Sequence, residues 1–269
     1  MNLFSKQQEV VILSTDQILE QVKQEHKVKR FVGMFSGGKD SLVASHLLWS
    51  KGLLDEVIYC KTGIGTTENF EFVKKTCKKY NWKLNILEPK TRFTYEKFVS
   101  KFGFPHAGMH SAIMGFLKWY QIRSFAKLHN DNNEGLCYVS GRRKKESLRR
   151  KKKSSVLPFD HPEKRIYIVS PIYFWTTRQV LEYVSENNLE LCPVYETLHL
   201  SGDCLCGSFS ELGESELIKT FHPDLAKKIT KLEKKYGGQW GNQVSMSSTK
   251  SQTKISQFVC SDCFIDRRT

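Results

Sequence analysis

Apolar residues along the first two thirds of the chain occur in short runs that alternate with longer amphipathic stretches. The short runs predict buried strands at residues 30–35, 57–60, 84–87, 136–139 and 166–169. Between them, apolar side chains recur at helical spacing over about residues 15–26, 42–51, 67–80, 111–128 and 177–187. Strands that alternate with helices of this length predict βαβ units. The expected fold class is therefore α/β, with a doubly wound, mostly parallel sheet.

Local signals mark the starts of two of these helices. Ser14 and Gln17 have the spacing of a capping box before the first helix. Thr176 has the position of an N-cap for the last one.

The alternation of strands and helices stops near residue 191. Beyond it glycine, serine and cysteine become frequent, and residues 241–257 have the polar composition of a flexible connection. We therefore expect an α/β domain over residues 1–191 and a small cysteine-rich C-terminal module over residues 192–269.

Composition and charge narrow the class of protein. No stretch of the 269 residues approaches the ~20 apolar residues of a membrane span, and the amino terminus lacks the apolar run of a signal peptide. The expectation is a cytoplasmic protein without a membrane partner, and the sequence does not indicate its oligomeric state. The net charge of +14 favours polyanionic partners, which include nucleotides and nucleic acid.

A glycine-rich segment follows the first predicted strand and precedes a helix. We call it the glycine loop: Ser36, Gly37, Gly38, Lys39, Asp40 and Ser41. Two glycines let the backbone approach an anion closely, and the following helix adds the positive end of its dipole. Lys39 supplies a charge for phosphate oxygens, and the two serines supply hydroxyl donors. This pattern predicts a pyrophosphate-binding site, whereas a plain tight turn with a surface lysine is the alternative.

The glycine loop nearly has the spacing of a Walker A motif. Asp40, however, stands where that motif needs a Ser or Thr hydroxyl for Mg²⁺. The loop instead resembles the signature of the PP-loop ATP pyrophosphatases. That resemblance implies a fold like those of the HUP and adenine nucleotide alpha hydrolase proteins, with ATP and Mg²⁺ bound and reaction at the α-phosphate. It also implies Lys39 and Asp40 as catalytic residues.

A second motif narrows the resemblance to one family. Residues 139–150 resemble the Gly-x-Arg-x-x-Glu-Ser-x-x-Arg motif of the PAPS reductase family, and residues 169–176 and 192–195 are similar to two further stretches of it. Thr62 and Gly63 are similar to its nucleotide-contacting Thr-Gly, although Lys61 stands where relatives often have an acid. The resemblance implies that the nucleotide is also contacted by Thr62, Gly63, Gly141, Arg143, Glu146 and Arg150.

The chemistry of the arginine side chain indicates a role for this motif independently of the resemblance. Arg143 and Arg150 are candidates for bidentate contacts to phosphate, with Glu146 orienting one of them. We expect Arg143 to line the site and to act in catalysis. The alternative is a solvated basic helix end, and the lysines at 151–153 are also suited to tracking a nucleic-acid backbone.

Cysteines crowd the last third of the chain. Cys204, Cys206, Cys260 and Cys263 form two short pairs, and four such thiolates are a set of ligands for one metal centre. Spacing alone leaves Zn²⁺ and a [4Fe–4S] cluster open, and the family resemblance favours the cluster. Cys192 is a further thiol with four open roles: a fifth thiol near the cluster, a ligand that replaces one of the four, a sulfur carrier or a plain buried cysteine.

Three functions follow from these features. The first is an ATP-dependent enzyme that adenylates a substrate for sulfur transfer, with tRNA or DNA as a possible acceptor and a protein as a possible sulfur donor. The second is a sulfonucleotide reductase that releases sulfite, although the chain lacks the Glu-Cys-Gly-x-His stretch of those enzymes. The third is a zinc-containing nucleic-acid-binding protein with a vestigial nucleotide site.

Overall fold

The computed structural model describes residues 13–129, 135–146, 153–159, 165–208, 213–238 and 240. Its centre is a sheet of six strands in the order β3-β2-β1-β4-β6-β5. Only the pair formed by β5 and β6 is antiparallel. The strands are β1 (Arg30–Met34), β2 (Glu56–Cys60), β3 (Leu84–Leu87), β4 (Leu136–Val139), β5 (Val156–Pro158) and β6 (Ile166–Val169).

Helices cover both faces of the sheet. The first six are α1 (Thr15–Gln24), α2 (Lys39–Ser50), α3 (Thr67–Lys79), α4 (Tyr95–Phe102), α5 (His110–Met114) and α6 (Tyr120–His129). A π-helical turn, Gly115–Trp119, joins α5 to α6. The remaining helices are α7 (Thr177–Glu186), α8 (Val194–Leu198), α9 (Glu214–Phe221) and α10 (Pro223–Tyr236).

The alternation of side chains along the strands explains the two cores. Phe31, Val57 and Cys137 point to one face, where they join the core that includes α2 and α7. Val32 and Ile58 point to the opposite face and pack in a second core with α6. Successive strand residues point to opposite faces, so a strand covered on both sides is apolar throughout. The predicted doubly wound, mostly parallel α/β fold is confirmed.

The order of strands produces a reversal between β1 and β4. The chain moves outward from β1 to β3 and then returns to β4 on the other side of β1. Ligands of open α/β sheets bind at the carboxyl ends of the strands at such a reversal. The glycine loop follows β1. The second motif of the sequence, residues 139–150, which we call the arginine motif, begins at the end of β4, so both lie at this edge.

The predicted elements lie within a few residues of the observed ones. The capping box at Ser14 forms, and Thr176 caps α7 with a second capping box. The short edge strand β5 and the helices α4, α8, α9 and α10 were not predicted from the sequence. The domain boundary at residue 191 stays a prediction; residues on both sides of it, Leu189 and Cys192 among them, share one core.

A search for membrane-crossing segments among the described helices finds none with the required length and apolar character.

Candidate functional site

The glycine loop is held in shape by its own hydroxyl groups. Ser36 Oγ and Ser41 Oγ are 3.1 Å apart, and the Ser41 hydroxyl donates to the Gly38 carbonyl at 2.8 Å. The Gly38 N–H donates to Ser36 Oγ at 3.4 Å. Gly37 has a φ of +82°, a conformation that residues with a side chain rarely adopt. These contacts form a compact turn between β1 and α2.

The amino end of α2 faces the loop. Gly38 precedes the first residue of the helix, Lys39, whose backbone N–H donates to the Tyr195 hydroxyl at 3.1 Å. The first amides of a helix have no acceptor within the helix, and they carry the positive end of its dipole. A phosphate group at this position would therefore meet backbone donors and a favourable field.

A buried ion pair joins the glycine loop to the arginine motif. Arg143 Nε lies 3.1 Å from Asp40 Oδ1, and both side chains are almost fully buried, with 6% and 2% exposed. Glu146 binds the same arginine, accepting from its backbone N–H at 2.8 Å and lying 3.4 Å from its guanidinium. The Arg143 guanidinium also donates to Thr177 Oγ1 at 3.2 Å. Arg143 is thus engaged by protein carboxylates on both sides.

Gly141 allows the two loops to touch. A Cβ atom at this position would lie 2.4 Å from the Asp40 carbonyl carbon and 2.5 Å from the Ser41 nitrogen. Real Cβ atoms do not approach backbone this closely, so the contact requires glycine. The arginine motif therefore lies directly against the start of α2.

A cavity of about 430 Å³ opens beside these loops. Its polar end is formed by serines of both loops, by Gly141 and by two cations, Arg142 and Lys153. Its apolar wall consists of strand and helix side chains: Met34, Ile58, Cys60, Met114, Trp119, Ile122 and Ile168. Burial raises the pKa of the Cys60 thiol to about 12, so this thiol is neutral at pH 7. The volume and the division into polar and apolar parts suit a nucleotide-sized ligand.

The π-helical turn brings two neighbouring residues to this cavity. Ser111 and Met114 line it at helical spacing, and Lys118 and Trp119 follow side by side. π turns within helices occur frequently at functional sites. The turn thus ends in two consecutive residues that both line the cavity.

Lys118 is paired with a buried carboxylate. Its ammonium lies 2.5 Å from Asp203 Oδ2, and the other Asp203 oxygen accepts from the Ser201 hydroxyl at 3.2 Å. Asp203 belongs to residues 192–208, which we call the cysteine segment. The pair joins this segment to the cavity wall.

Thr62 holds the cysteine segment from the end of β2. Its hydroxyl donates to the Asp203 carbonyl at 3.0 Å and accepts from the Ile64 N–H at 3.3 Å. A Cβ atom at Gly65 would lie 2.5 Å from the same Asp203 carbonyl oxygen. The structure thus places Thr62 in a buried backbone contact. Gly63 is exposed, and its carbonyl accepts from Lys228 Nζ at 2.7 Å.

Asn69 connects the cysteine segment to the glycine loop. Its amide nitrogen donates to the Ser36 carbonyl at 3.0 Å and to the Ser201 carbonyl at 2.7 Å. Its amide oxygen accepts from the Tyr59 hydroxyl at 3.1 Å. The side chain is fully buried, so these bonds replace all of its contact with water. One amide thereby sets the distance between two loops that are far apart in sequence.

Cys204 and Cys206 lie close together near one end of the cavity. The Ser208 hydroxyl lies 3.1 Å from Cys206 Sγ and 3.1 Å from Nδ1 of His110, a residue that lines the cavity. Hydrogen bonds from the Cys204 thiol, His110 and Ser208 hold the pKa of Cys206 well below its usual value, against the opposing effect of burial. The pKa of Cys204 is raised correspondingly by Cys206 and by burial.

The predicted metal ligands are only partly within the described residues. Cys204 and Cys206 lie close together, and cysteine thiolates are ligands of both Zn²⁺ and iron–sulfur clusters. Cys260 and Cys263 lie outside the described residues, and within the described ranges no group of three or more His, Cys, Asp or Glu residues is arranged to hold a metal ion. The four-cysteine centre stays a prediction.

The structure brings most of the predicted nucleotide-contacting residues to one edge of the sheet. Ser36, Ser41 and Gly141 line the cavity, while Lys39, Asp40 and Arg143 are buried behind it. Arg150 lies outside the described residues. The direct phosphate contacts expected of these residues stay predictions.

Several residues of the site were not predicted. Asn69 and Asp203 are separated from the glycine loop by long stretches of chain, and no local pattern distinguishes them. Tyr195 lies in a stretch that is similar to the family, but its contact with the glycine loop was not predicted. Arg142 and Lys153 line the cavity within a basic run in which the sequence favoured Arg143. Which side chains of this basic run point to the cavity depends on the direction that the backbone takes after β4, and the sequence pattern does not give that direction.

Comparison with known proteins identifies relatives of this arrangement. The family model described as the phosphoadenosine phosphosulfate reductase domain matches residues 30–214. An uncharacterized protein of Methanocaldococcus jannaschii is 28% identical over 204 residues, which are 76% of this chain and 47% of that protein. The chain thus spans about half the length of that relative. An adenosine 5'-phosphosulfate reductase of Bacillus cytotoxicus is 25% identical over 169 residues, 63% of this chain and 69% of that enzyme.

Solved structures share the fold at low identity. The NMN synthetase of Francisella tularensis superposes with a TM-score of 0.51 at 12% identity, covering 88% of this chain and 97% of that one. The phosphoadenylyl-sulfate reductase of Candida auris, solved with phosphate, has a TM-score of 0.48 at 18% identity, covering 69% of this chain and 93% of that one. The first of these similarities supports the α/β fold described above.

Proposed function

Since the chain belongs to the phosphoadenosine phosphosulfate reductase domain family, an enzyme family, we propose that it binds ATP and adenylates a substrate at the α-phosphate. The observation that carries this proposal is the intact glycine loop at the amino end of α2, beside a cavity that both polar and apolar side chains line. The adenine and ribose fit the apolar wall, and the triphosphate extends toward the loop.

In this proposal the phosphates are held mainly by backbone and by fixed charges. The glycine loop binds the β- and γ-phosphates with its N–H groups, and the Lys39 ammonium neutralises part of their charge. Arg142 and Lys153 supply further charge at the polar end of the cavity. Preorganised donors of this kind stabilise charge that develops on the departing pyrophosphate.

The buried pair of Asp40 and Arg143 has a positioning role in this proposal. Asp40 lies in the first turn of α2, so its bond to Arg143 fixes the start of the helix against the arginine motif. A direct contact between Arg143 and phosphate requires the guanidinium to exchange one of its carboxylate partners for the nucleotide. The pair therefore either supports the loop or opens when the nucleotide binds.

The reaction has two steps. An acceptor oxygen attacks the α-phosphorus, the bond from that phosphorus to the bridging oxygen breaks, and pyrophosphate leaves. Sulfide delivered by a donor protein then attacks the activated centre of the acceptor, the bond from that centre to the oxygen breaks as the bond to sulfur forms, and AMP leaves with the oxygen. Activation is needed because an oxygen anion is a poor leaving group and AMP is a better one.

Two metal groups belong to this proposal. Mg²⁺ would neutralise charge on the nucleotide phosphates and would draw most of its ligands from them and from water, because Asp40, the carboxylate of the glycine loop, is already paired with Arg143. A [4Fe–4S] cluster or Zn²⁺ would be held by Cys204 and Cys206 together with Cys260 and Cys263. The cysteines of the described part are free thiols, which agrees with a reducing, cytoplasmic location.

The test is the identity of the products from ATP. The protein is incubated with ATP labelled at the α- or the γ-phosphate, with and without extracts that contain acceptors, and we expect AMP and pyrophosphate in equal amounts. Lys39→Met retains the buried stem of the side chain but removes its charge, and it should abolish release with little loss of fold. Ser36→Ala tests the loop at a cavity-lining position. Release of ADP and orthophosphate would contradict the proposal.

A second candidate is a sulfonucleotide reductase. The description of the matching family and the name of the Bacillus cytotoxicus relative favour it. It predicts release of sulfite from adenylyl sulfate, or its 3'-phosphorylated form, when a dithiol reductant is present. If the protein releases sulfite from a sulfonucleotide but forms no AMP from ATP, the reductase function is supported and the adenylation function is contradicted.

A further inference from the structure

Two exposed cations are paired with aromatic rings. Arg92 donates from Nη2 to the Tyr120 hydroxyl at 3.3 Å, and its guanidinium carbon lies 4.9 Å from the centre of the Phe93 ring. The Lys90 ammonium lies 5.6 Å from the centre of the Tyr120 ring. We call Lys90, Arg92, Phe93 and Tyr120 the cation–aromatic patch.

The two rings are stacked on each other, so each covers one face of the other. The centres of the Phe93 and Tyr120 rings are 4.0 Å apart, with an angle of 32° between the planes. Phe93 is supported from behind by Phe116, with ring centres 5.1 Å apart. Both rings are partly exposed, and the two cations lie over them, so a ligand that stacks on a ring must displace a cation from it.

The cations of this patch differ from many others on the surface. Lys75 and Lys79 share the carboxylate of Glu190, and Arg178 pairs with Glu182. For Lys90 and Arg92, the described part of the chain supplies no carboxylate within ion-pair distance. Instead, hydrogen bonds from Arg92 and Lys90 to the phenol lower the pKa of Tyr120. Positive charge is therefore concentrated here without neutralisation.

The patch and the cavity lining are joined through consecutive residues at the start of α6. Tyr120 directly follows Lys118 and Trp119, which line the cavity. Gln121 Nε2 donates to the Lys61 carbonyl at 3.3 Å, which ties the start of α6 to the end of β2. Arg123 is one helical turn beyond Tyr120, and neighbours at this spacing lie on the same side of a helix.

We propose that the cation–aromatic patch binds single-stranded nucleic acid. A base stacks on the exposed part of the Tyr120 ring, and Lys90 and Arg92 turn from the rings to contact neighbouring phosphates. Exposed aromatic rings interleaved with cations are the usual means of binding unpaired strands, because every base has a π face. A base within a duplex cannot reach such a surface. The inference rests on the proposed function only for the statement that this strand is the acceptor.

The test measures strand binding by the full chain in the absence of ATP. A fluorescein-labelled thymidine oligomer of about 20 nucleotides, longer than the ~4–16 nucleotides of typical sites, is titrated by fluorescence anisotropy. We expect Tyr120→Ala to weaken binding about tenfold through lost stacking, whereas Tyr120→Phe retains the ring and the affinity. A plot of log K against log salt concentration has a negative slope. The double change Lys90→Ala and Arg92→Ala should make this slope less steep by about 1.4, at ~0.7 per phosphate contact.

Lys235→Ala is the matched control. The Lys235 ammonium lies 5.1 Å from the centre of the Tyr236 ring on α10, so the same kind of pair is removed at a different surface. We expect it to leave stacking and affinity unchanged. If Lys235→Ala lowers the affinity for the oligomer as much as the patch variants do, binding depends on the overall positive charge and not on the patch. That result would overturn the proposal. Absence of binding, a duplex bound as tightly, or displacement by polyglutamate at equal charge would also overturn it.

Failure of this inference is distinguishable from failure of the proposed function. Lys39→Met should bind the oligomer like the unchanged protein, because the substitution lies outside the patch. Release of AMP and pyrophosphate without strand binding would exclude nucleic acid as the partner and leave the adenylation proposal standing.

Discussion

The glycine loop and the cysteine segment meet at the same edge of the sheet, but they are held in different ways. The glycine loop is closed by short-range bonds among Ser36, Gly38 and Ser41. The cysteine segment is held by side chains from distant parts of the chain. Thr62 and Lys118 bind Asp203, and the Tyr95 hydroxyl donates to the Cys206 carbonyl at 3.0 Å.

This difference separates the shape of the loop from its position. The shape depends on glycines and serines within the loop itself. Its position depends on Asn69, which binds both regions, and on Tyr195, which receives the Lys39 N–H. Changes inside the loop should therefore alter nucleotide binding with little loss of stability, whereas changes between the regions should alter both.

The largest effect is expected from Asn69→Ala. The substitution leaves the carbonyls of Ser36 and Ser201 and the Tyr59 hydroxyl without their buried partner, and each loss costs about 1–3 kcal/mol. We expect the free energy of unfolding in urea to fall by about 4 kcal/mol. Asn187→Ala, which removes one half-buried bond to the Tyr183 carbonyl, should cost about 1 kcal/mol. Equal effects of the two changes would show that Asn69 does not connect the regions.

Gly65→Ala should have the next largest effect. The new Cβ would lie 2.5 Å from the Asp203 carbonyl oxygen, so backbone on one side must move. Overpacking of this kind costs about 3 kcal/mol at its upper range, and thermal unfolding should occur at lower temperature. Gly115→Ala is the control, because nothing lies within 4 Å of its Cβ position. A Gly65→Ala protein as stable as the control would contradict the close contact.

Tyr195→Phe should have the smallest effect on stability. It removes the acceptor of the Lys39 N–H and should cost about 1 kcal/mol in unfolding. Tyr138→Phe removes a hydroxyl that donates to the Ile122 carbonyl in the opposite core and should cost a similar amount. We expect ATP affinity, measured by calorimetry, to fall only for Tyr195→Phe. If both variants bind ATP equally, Tyr195 does not position the loop.

The same contrast explains how much of the site was predictable from the sequence. The glycine loop is a continuous motif between a strand and a helix, so its residues and its place in the fold follow from local patterns. The strands β3, β4 and β6 were predicted from their apolar runs for the same reason. Asn69 and Asp203 have ordinary local surroundings, and their roles arise from contacts across more than a hundred residues.

The arginine motif lies between these cases. From the sequence, Arg143 was expected to line the site and to act in catalysis. The structure directs Arg143 into a buried pair with Asp40 and directs Arg142 toward the cavity. The direction of two adjacent side chains after β4 depends on the exit of the backbone from the sheet and on the contact at Gly141, which hydrophobic patterning does not encode.

The central claim is that the glycine loop binds the phosphates of a nucleotide at the edge where the cysteine segment meets it. Hydrogen exchange measured with and without α,β-methylene ATP, which resists cleavage between those phosphates, tests this claim directly. The account predicts slower amide exchange in peptides that cover residues 36–42, together with slower exchange over residues 201–206 through Asn69. Unchanged exchange in the glycine loop at saturating ligand would contradict it.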